Sequence, residues 1–474
     1  MAKIGYPFTL GVASGEPTSS GVIIWTRLAP DPVGLDPGRP GGMPAETVPV
    51  RWQVAEDERF TKIVATGTAQ AGPQWAHSVH VKVDGLRPAA DYHYRFSVPA
   101  ASGGATSPAG RTRTAPARES GDPVRFAAAS CQRYEHGHFS ALGHIADERP
   151  DIVFHVGDYI YEGGRPADPP PGRYVRPLER PERTCRTLRD YRNRYARYRT
   201  DADLRAAHAA APWTPIWDDH EVRDNYAGTR PGDGSDPEEF LRRRTAAYQA
   251  YYEHFPLRVR PVGTGLHMYR WRPYGRVADF LVLDARQYRE PGDMLGRAQE
   301  EWLVGRLDAS TARWKVLVQP TFFARRQFPD GSLSTDAWDA FPAQRARVLS
   351  AVDGGLVVLS GDVHNNWACD LADDAGRPVG VEFVGTAITS APPATDNAAI
   401  LAANPHIRFH DGHRGYMSGT AGPDGLELAY RVVDFVDRPG SPVRTVAMFG
   451  VEGDRLKGLI SDAGLKSRDQ PPSN

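Results

Sequence analysis

Up to about residue 115 the chain alternates short apolar runs with turns rich in Gly, Pro and Asp. GVIIWTRLA (21–29), VPVRWQVA (48–55), KIVATGTAQ (62–70), HSVHVKV (77–83) and DYHYRFSV (91–98) are β-branched or aromatic and of strand length. Their cadence predicts a β-sandwich domain over 1–115. From Pro99 to about Pro123 Ala, Gly, Ser, Thr, Pro and Arg dominate, which suits a last edge strand and a linker over 116–123. Beyond it the pattern changes. VRFAAAS (124–130), DIVFHVGDYIY (151–161), ADFLVLDA (278–285), WKVLVQPTF (314–322) and GLVVLSGDVH (355–364) read as buried strands. Helical periodicity falls between them at 139–148, 188–211, 237–255, 297–310 and 341–352. Strands alternating with helices predict an α/β layered core over 124–474. The tail strands 381–388, 427–436 and 444–453 make one sheet edge antiparallel.

Asp84-Gly85-Leu86-Arg87-Pro88, followed by Tyr92 and Tyr94, resembles the end of a fibronectin-type or immunoglobulin-like module. There a Leu packs under the turn and a Tyr bonds back to the backbone.

Composition narrows the function classes. The chain has 474 residues, with 57 Lys+Arg against 58 Asp+Glu and a formal charge of −1, so no global basic field gathers nucleic acid or anionic membrane. Any anion recognition is local. The 47 Gly and 41 Pro favour a loop-rich architecture over a helical bundle. Three cysteines, Cys131, Cys185 and Cys369, permit at most one intrachain disulfide. No apolar run reaches the length of a membrane span, and the start MAKIGYPFTLGVASGEP has neither an h-region nor twin arginines. The expectation is a cytoplasmic protein or a mature form whose signal has been removed.

Polar groups collect where the buried runs end, the usual place for an α/β active site. Ser130-Cys131-Gln132 follows the first run and Gly157-Asp158-Tyr159-Ile160-Tyr161-Glu162 the second. Trp217-Asp218-Asp219-His220-Glu221 with Asp224-Asn225, Leu283-Asp284-Ala285-Arg286, and Gly361-Asp362-Val363-His364-Asn365-Asn366 complete the series. A carboxylate leaving a strand through a Gly turn keeps both oxygens free, so Asp158 suits a bridge between two cations. Asp362 and His364, at i and i+2, would share a face if the strand continued. Cys131, Tyr161 and Asp158 form an anionic set better matched to trivalent iron than to zinc or magnesium. Any one of these residues alone is a turn, cap or core residue more often than a ligand. Their coincidence at the ends of successive apolar runs is what points to a dinuclear metal site.

The ordered series FTLGVASGEPTSSGVIIWTRLAP, SCQ, GDYIYE, WDDHEVRDNYAG, LDARQYR, QEEWL with STARWKVLVQ, and LSGDVHNNW resembles the PhoD-like alkaline phosphatase family, a branch of the calcineurin-like metallophosphoesterases. The resemblance covers nearly the whole chain. It implies a layered metallophosphoesterase β-sandwich flanked by helices behind the N-terminal β-domain. Cys131 would replace the first Asp of the superfamily's DxH, Asp158 would bridge, Tyr161 would replace the last Asp of GDxxD, and His364 would complete an Fe³⁺ site. Asp362 would bind the second metal, one or two Ca²⁺, with Mn²⁺ or Zn²⁺ as alternatives to these metals. The superfamily's Asn ligand maps either to Asn225, the favoured assignment, or to Asp219, which is otherwise outside the first coordination sphere or a ligand of a further Ca²⁺. His220 would lie near the phosphate. Arg133, His136, His138 and Arg286 are candidates to hold phosphoryl oxygens, solely because they neighbour the motifs.

The expected function is a secreted, monomeric phosphoester hydrolase acting on small phosphate mono- and diesters by attack of metal hydroxide. Export would follow the twin-arginine route. The alternatives are a phospholipase D-type phosphodiesterase acting on phospholipid head groups or glycerophosphodiesters, and a non-catalytic extracellular binding protein. The segments 165–185 and 399–418 are the expected covers of the site.

Overall fold

The computed structural model describes residues 5–460 apart from 35, 37, 101–102, 167–171, 178–182, 394 and 453. Two mixed sheets of ten and seven strands face each other. The larger places Val124–Ala129, Ile152–Val156 and Pro212–Ile216 side by side in parallel at its centre. The smaller does the same with Ala278–Val282, Trp314–Val318 and Leu356–Ser360. Their inner faces interlock through aromatic rings: Phe280 lies 4.7 Å from Phe154 and 6.0 Å from Phe126. Helices cover the outside, so the layered α/β expectation holds. Of the expected tail strands, Leu426–Val433 and Val443–Glu452 pair antiparallel toward one edge of the larger sheet, whereas the third, Pro378–Val384, lies in the smaller sheet and pairs in parallel with Leu356–Ser360.

The N-terminal strands build two β-layers around their own core of Val22, Ile24, Val50, Val54, Val81, Tyr94 and Phe96. The predicted corner is present, with Leu86 buried and the Arg87 N–H donating to the Tyr92 hydroxyl at 2.9 Å. One of these layers continues into the ten-stranded sheet, because Val12–Thr18 pairs in parallel with Pro212–Ile216. Neither strand is obvious in the sequence. VASGEPT and PWTPI are rich in Gly, Ser and Pro, residues that depress strand propensity, and tertiary pairing overrides it.

Helical periodicity at 188–211 predicts one helix and the structure has two, Leu188–Arg199 and Ala202–Ala210. Asp201 breaks the run by capping the second, accepting from the N–H groups of Asp203 and Leu204. The strands also stop earlier than their apolar runs. Ile152–Val156 ends at Gly157 (φ +100°), and Leu356–Ser360 ends before Asp362 (φ +69°) and His364 (φ +55°). The i, i+2 argument for Asp362 and His364 therefore fails, since both sit in a left-handed turn. All three cysteines are buried and free. No helix among the described residues is long and apolar enough to cross a membrane.

A bulge at Glu16 (φ +49°) ties the N-terminal strands to the smaller sheet. Its carboxylate is 1% exposed and pairs with Arg270 at 2.5 Å and Arg272 at 2.8 Å. Burial alone would raise its pKa, but these guanidiniums outweigh burial and hold it below the ordinary value. Glu16→Ala leaves the buried Arg270 and the half-buried Arg272 without their carboxylate and is expected to cost about 3–5 kcal/mol in urea unfolding. Because the folded-state pKa is depressed, the contribution is present at neutral pH and is lost as pH falls through the folded value. The stability gap between wild type and Glu16→Gln should accordingly shrink in acid; a gap independent of pH would contradict this role.

Candidate metal centre

Five of the twelve described non-glycine residues at positive φ belong to the motifs: Cys131, Asp158, Asn225, Asp362 and His364. Such backbone costs about 1 kcal/mol or more per residue and clusters at functional sites. Ties between loops hold it in place. The Cys131 N–H donates to the Gly157 carbonyl, the Gln132 N–H to that of Asp158, and the Ser390 N–H to that of Cys131, each at 3.1 Å.

Asp158 is the centre of the arrangement. Its Oδ2 accepts from the Tyr161 hydroxyl at 2.9 Å, while Oδ1 faces the His220 N–H at 3.4 Å. Tyr161 in turn lies 3.1 Å from His364 Nε2 and accepts from Ser390 at 2.8 Å. The Ala391 carbonyl, 2.7 Å from His364 Nδ1, can only accept, so it fixes the proton there and leaves the Nε2 lone pair directed at the centre. Cys131, Asp158 and His364 each offer a donor atom within 4.8 Å of the others. Asp158, Asp219 and His220 form a second such group. Asp158 is the member common to both.

The two sheets and this site have close counterparts. Residues 126–430 match the PhoD-like phosphatase family and residues 2–116 match the PhoD-like phosphatase N-terminal domain. The chain belongs to the PhoD-like phosphatase family. It is 46% identical over 510 residues to alkaline phosphatase D of Bacillus subtilis (strain 168), spanning 98% of this chain and 85% of that protein. The solved structure of PhoD superposes at a TM-score of 0.92 and 45% identity, covering 98% of this chain and 95% of that one. Purple acid phosphatase PPD1 from yellow lupin (Lupinus luteus) seeds shares the fold, with a TM-score of 0.58 at 14% identity over 90% of this chain and 72% of that one. Membership in a phosphatase family makes the chain a phosphoric ester hydrolase and removes the non-catalytic binding protein from consideration.

In this PhoD-like site anionic donors outnumber cations. Burial comes first in pushing Asp158, Cys131 and Tyr161 well above their ordinary pKa values, and the neighbouring acids add to it. Asp362, half-buried at the edge of the site, is pushed up to about 7 by desolvation first and then by the neighbouring Asp336 and Asp219. Two cations oppose this. Arg286 and His220 hold Asp219 low against its burial, and Asp219, Glu162 and Asp158 hold His220 protonated against its own. A buried donor set of one thiol, one phenol, one imidazole and several carboxylates fits a cation, which would favour the charged form of each acid.

The expected phosphate-holding residues separate. Arg133 lies 5.2 Å from the Tyr161 ring, and His136 Nδ1 accepts from the Ala391 N–H at 3.2 Å, so both border the centre. Arg286 is fully buried, with Nε 2.5 Å from Asp218 and both terminal nitrogens paired to Asp336 at 2.7–2.8 Å. Enclosed, and with a carboxylate at each nitrogen, it does not face the open side of the site, which corrects its assignment to the phosphate. His138 faces Arg176, Asp201 and Asp437, away from the motifs. Asn225 has an exposed side chain and contributes its backbone N–H, which donates to Asp219 at 2.6 Å.

Two supporting carboxylates have no assigned role in the sequence reading although they lie inside the motifs. Glu221 accepts from the N–H groups of Asp158, Tyr159 and Asp218 at 2.7–3.2 Å, binding two motif loops to one side chain. Glu162 accepts from the Asp224 N–H at 3.0 Å and lies 2.7 Å from His220 Nδ1. Ser390 and Asp336 come from loops with no motif and give no signal in sequence.

Gly157 permits the turn. A Cβ there would lie 2.5 Å from the Asp218 Cβ and 2.8 Å from its backbone nitrogen, at a φ that L side chains rarely adopt. Gly157→Ala is expected to displace Asp158 and lower kcat/KM for a chromogenic phosphate by about 100-fold, the cost of a displacement of about 1 Å. Wild-type activity in this variant would show that the turn tolerates a side chain.

Proposed function

We propose that this chain hydrolyses phosphate mono- and diesters at a dinuclear centre, and that Fe³⁺ and Ca²⁺ are its metals. Asp158 carries the proposal: one carboxylate has an oxygen toward each of two donor groups. Cys131, Asp158, Tyr161 and His364 would hold the iron, since a thiolate, a phenolate and a carboxylate balance a trivalent charge. Asp158, Asp219 and Asp362 would hold calcium as hard oxygen donors, with Asn225 orienting Asp219 through its backbone. When bound, such a pair supplies Lewis acidity and a water-derived nucleophile near neutral pH.

The protein's own groups supply the rest. Arg133 and His136 face the Tyr161 side of the centre and would bind the non-reacting phosphoryl oxygens. His220, kept protonated by Asp219 and Glu162, stands beside Asp158 and would stabilise charge on the leaving oxygen. A cleft of about 490 Å³ opens beside Asp362 and His364 and leaves room for a second ester group. Arg173, from the proposed 165–185 cover, lines it, as does Ile400 from the proposed 399–418 cover; residues 167–171 and 178–182 lie outside the described residues. Calcium use would suit an extracellular location, where the ion is abundant; recovery of active protein from the medium of the native cell tests that location.

Purified protein should contain iron and calcium by elemental analysis and absorb in the visible. Tyr161→Phe should remove that absorption and most of the iron. Asp158→Ala should reduce turnover of both p-nitrophenyl phosphate and bis-p-nitrophenyl phosphate by several orders of magnitude. A colourless, fully active zinc protein would overturn the metal assignment. Much faster cleavage of phosphatidylcholine or a glycerophosphodiester than of either chromogenic ester would replace the substrate assignment with the phospholipase D-type one.

A further inference from the structure

The cleft beside Asp362 and His364 has mixed walls. Phe328, Trp367 and Ile400 supply apolar surface, and Arg173 and Arg326 supply positive charge. Arg326 is the buried arginine that lines this cleft. It is 9% exposed, and its guanidinium lies 4.5 Å from the Phe322 ring centroid and 5.3 Å from that of Phe328. Its Nε is buried without a hydrogen-bond partner.

The acids around Arg326 are occupied or only near. Asp339 pairs with Arg345 at 2.8 Å and otherwise accepts from the backbone N–H of Arg326 itself at 2.9 Å. Glu382 accepts from the N–H groups of Phe323 and Ala324 and from the Ser360 hydroxyl. Asp362 acts on Arg326 through space, and among the described residues no carboxylate pairs with the guanidinium. Arg286, fully buried, has a carboxylate at each of its nitrogens, and Arg270 pairs with Glu16. A buried, unpaired guanidinium is costly to a fold. Here the cost is incurred at the wall of an open cleft, between two aromatic rings that restrain the side chain.

We propose that this cleft receives the organic group of the ester and that Arg326 pairs with a second anionic group on it. Phosphate esters bearing a further negative charge on an apolar body are therefore preferred. The inference rests on the phosphoester-hydrolase reading and adds the chemistry of the leaving group to it. Phe328, Trp367 and Ile400 contact the body of that group. Arg173, exposed at the rim, favours its approach electrostatically.

A matched pair of substrates tests this: 4-carboxyphenyl phosphate and its neutral isostere 4-carbamoylphenyl phosphate, assayed on the metal-loaded full-length protein. Wild type should favour the carboxylate by about tenfold in kcat/KM, the effect of one charge-assisted hydrogen bond. Arg326→Met should bring the ratio near one, and Arg326→Lys should retain part of it, because lysine keeps the charge but not the planar fork. A wild-type ratio of one, or a ratio unchanged by Arg326→Met, overturns the proposal while the hydrolase reading stands. Hydrolysis of neither ester by wild type defeats both. The wild-type ratio needs no variant, so if Arg326→Met fails to fold, that ratio and the Arg326→Lys protein decide the matter.

Discussion

The placement of one buried carboxylate organises the site. Asp158 turns out of its strand at φ +56°, directly after a glycine at φ +100°, and so presents its two oxygens to opposite sides. Burial comes first in favouring a proton on it, and the charges of Asp219, Asp218 and Glu221 crowded around it add to that. A fold gains nothing from such crowding by itself, since each like charge in a low-dielectric site raises the cost of the next. Arg286 and His220 offset part of the excess. The remainder is the electrostatic reason for reading the site as a cation receptor rather than a stabilising network.

Precision at Asp158 comes from the backbone. Parallel strands of both sheets end at this edge, and the loops that follow are tied to one another before any side chain is considered. Glu221 strengthens those ties by taking N–H groups from the Asp158 and Asp218 loops at once. The N-terminal strands share in this work. Val12–Thr18 lies beside the strand that delivers Asp218 and Asp219, and Glu16 locks that neighbour to Arg270 of the smaller sheet. Strained left-handed residues persist where the surrounding structure determines them so fully.

Much of this was legible in the chain itself, because apolar runs ending in Cys131, Asp158, Asp284 and Asp362 mark strand ends whatever the topology. Cys131, Asp158, Tyr161 and His364 do converge. The route to Asp362 and His364 was not legible. An alternation argument assumes that the strand continues, and only the φ values reveal the turn. Strands such as Pro212–Ile216 stayed hidden because prolines lower their local propensity, while flanking strands supply the pairing. Asn225 and Asp219 could not be separated from spacing, since a backbone N–H and a side-chain amide leave the same mark in a sequence.

Arginine shows most clearly where sequence proximity misleads. Arg286 stands next to a motif aspartate, yet it is fully buried with each of its nitrogens on a carboxylate, so it acts on Asp218 and Asp219 from inside the fold. Arg326 stands in ARRQF, a stretch without motif or periodicity, and its guanidinium faces a cleft with no paired acid. Burial does not distinguish the two, because both are at least nine-tenths enclosed. What separates them is carboxylate pairing and access to the cleft. A guanidinium enclosed with a carboxylate at each nitrogen is part of the fold, whereas one at a cleft wall with no paired carboxylate is placed to meet an anionic ligand. Arg133, beside Tyr161, stays within reach of the centre while His138, five residues later, does not, because the chain turns between them and His138 faces Arg176 and Asp201 instead.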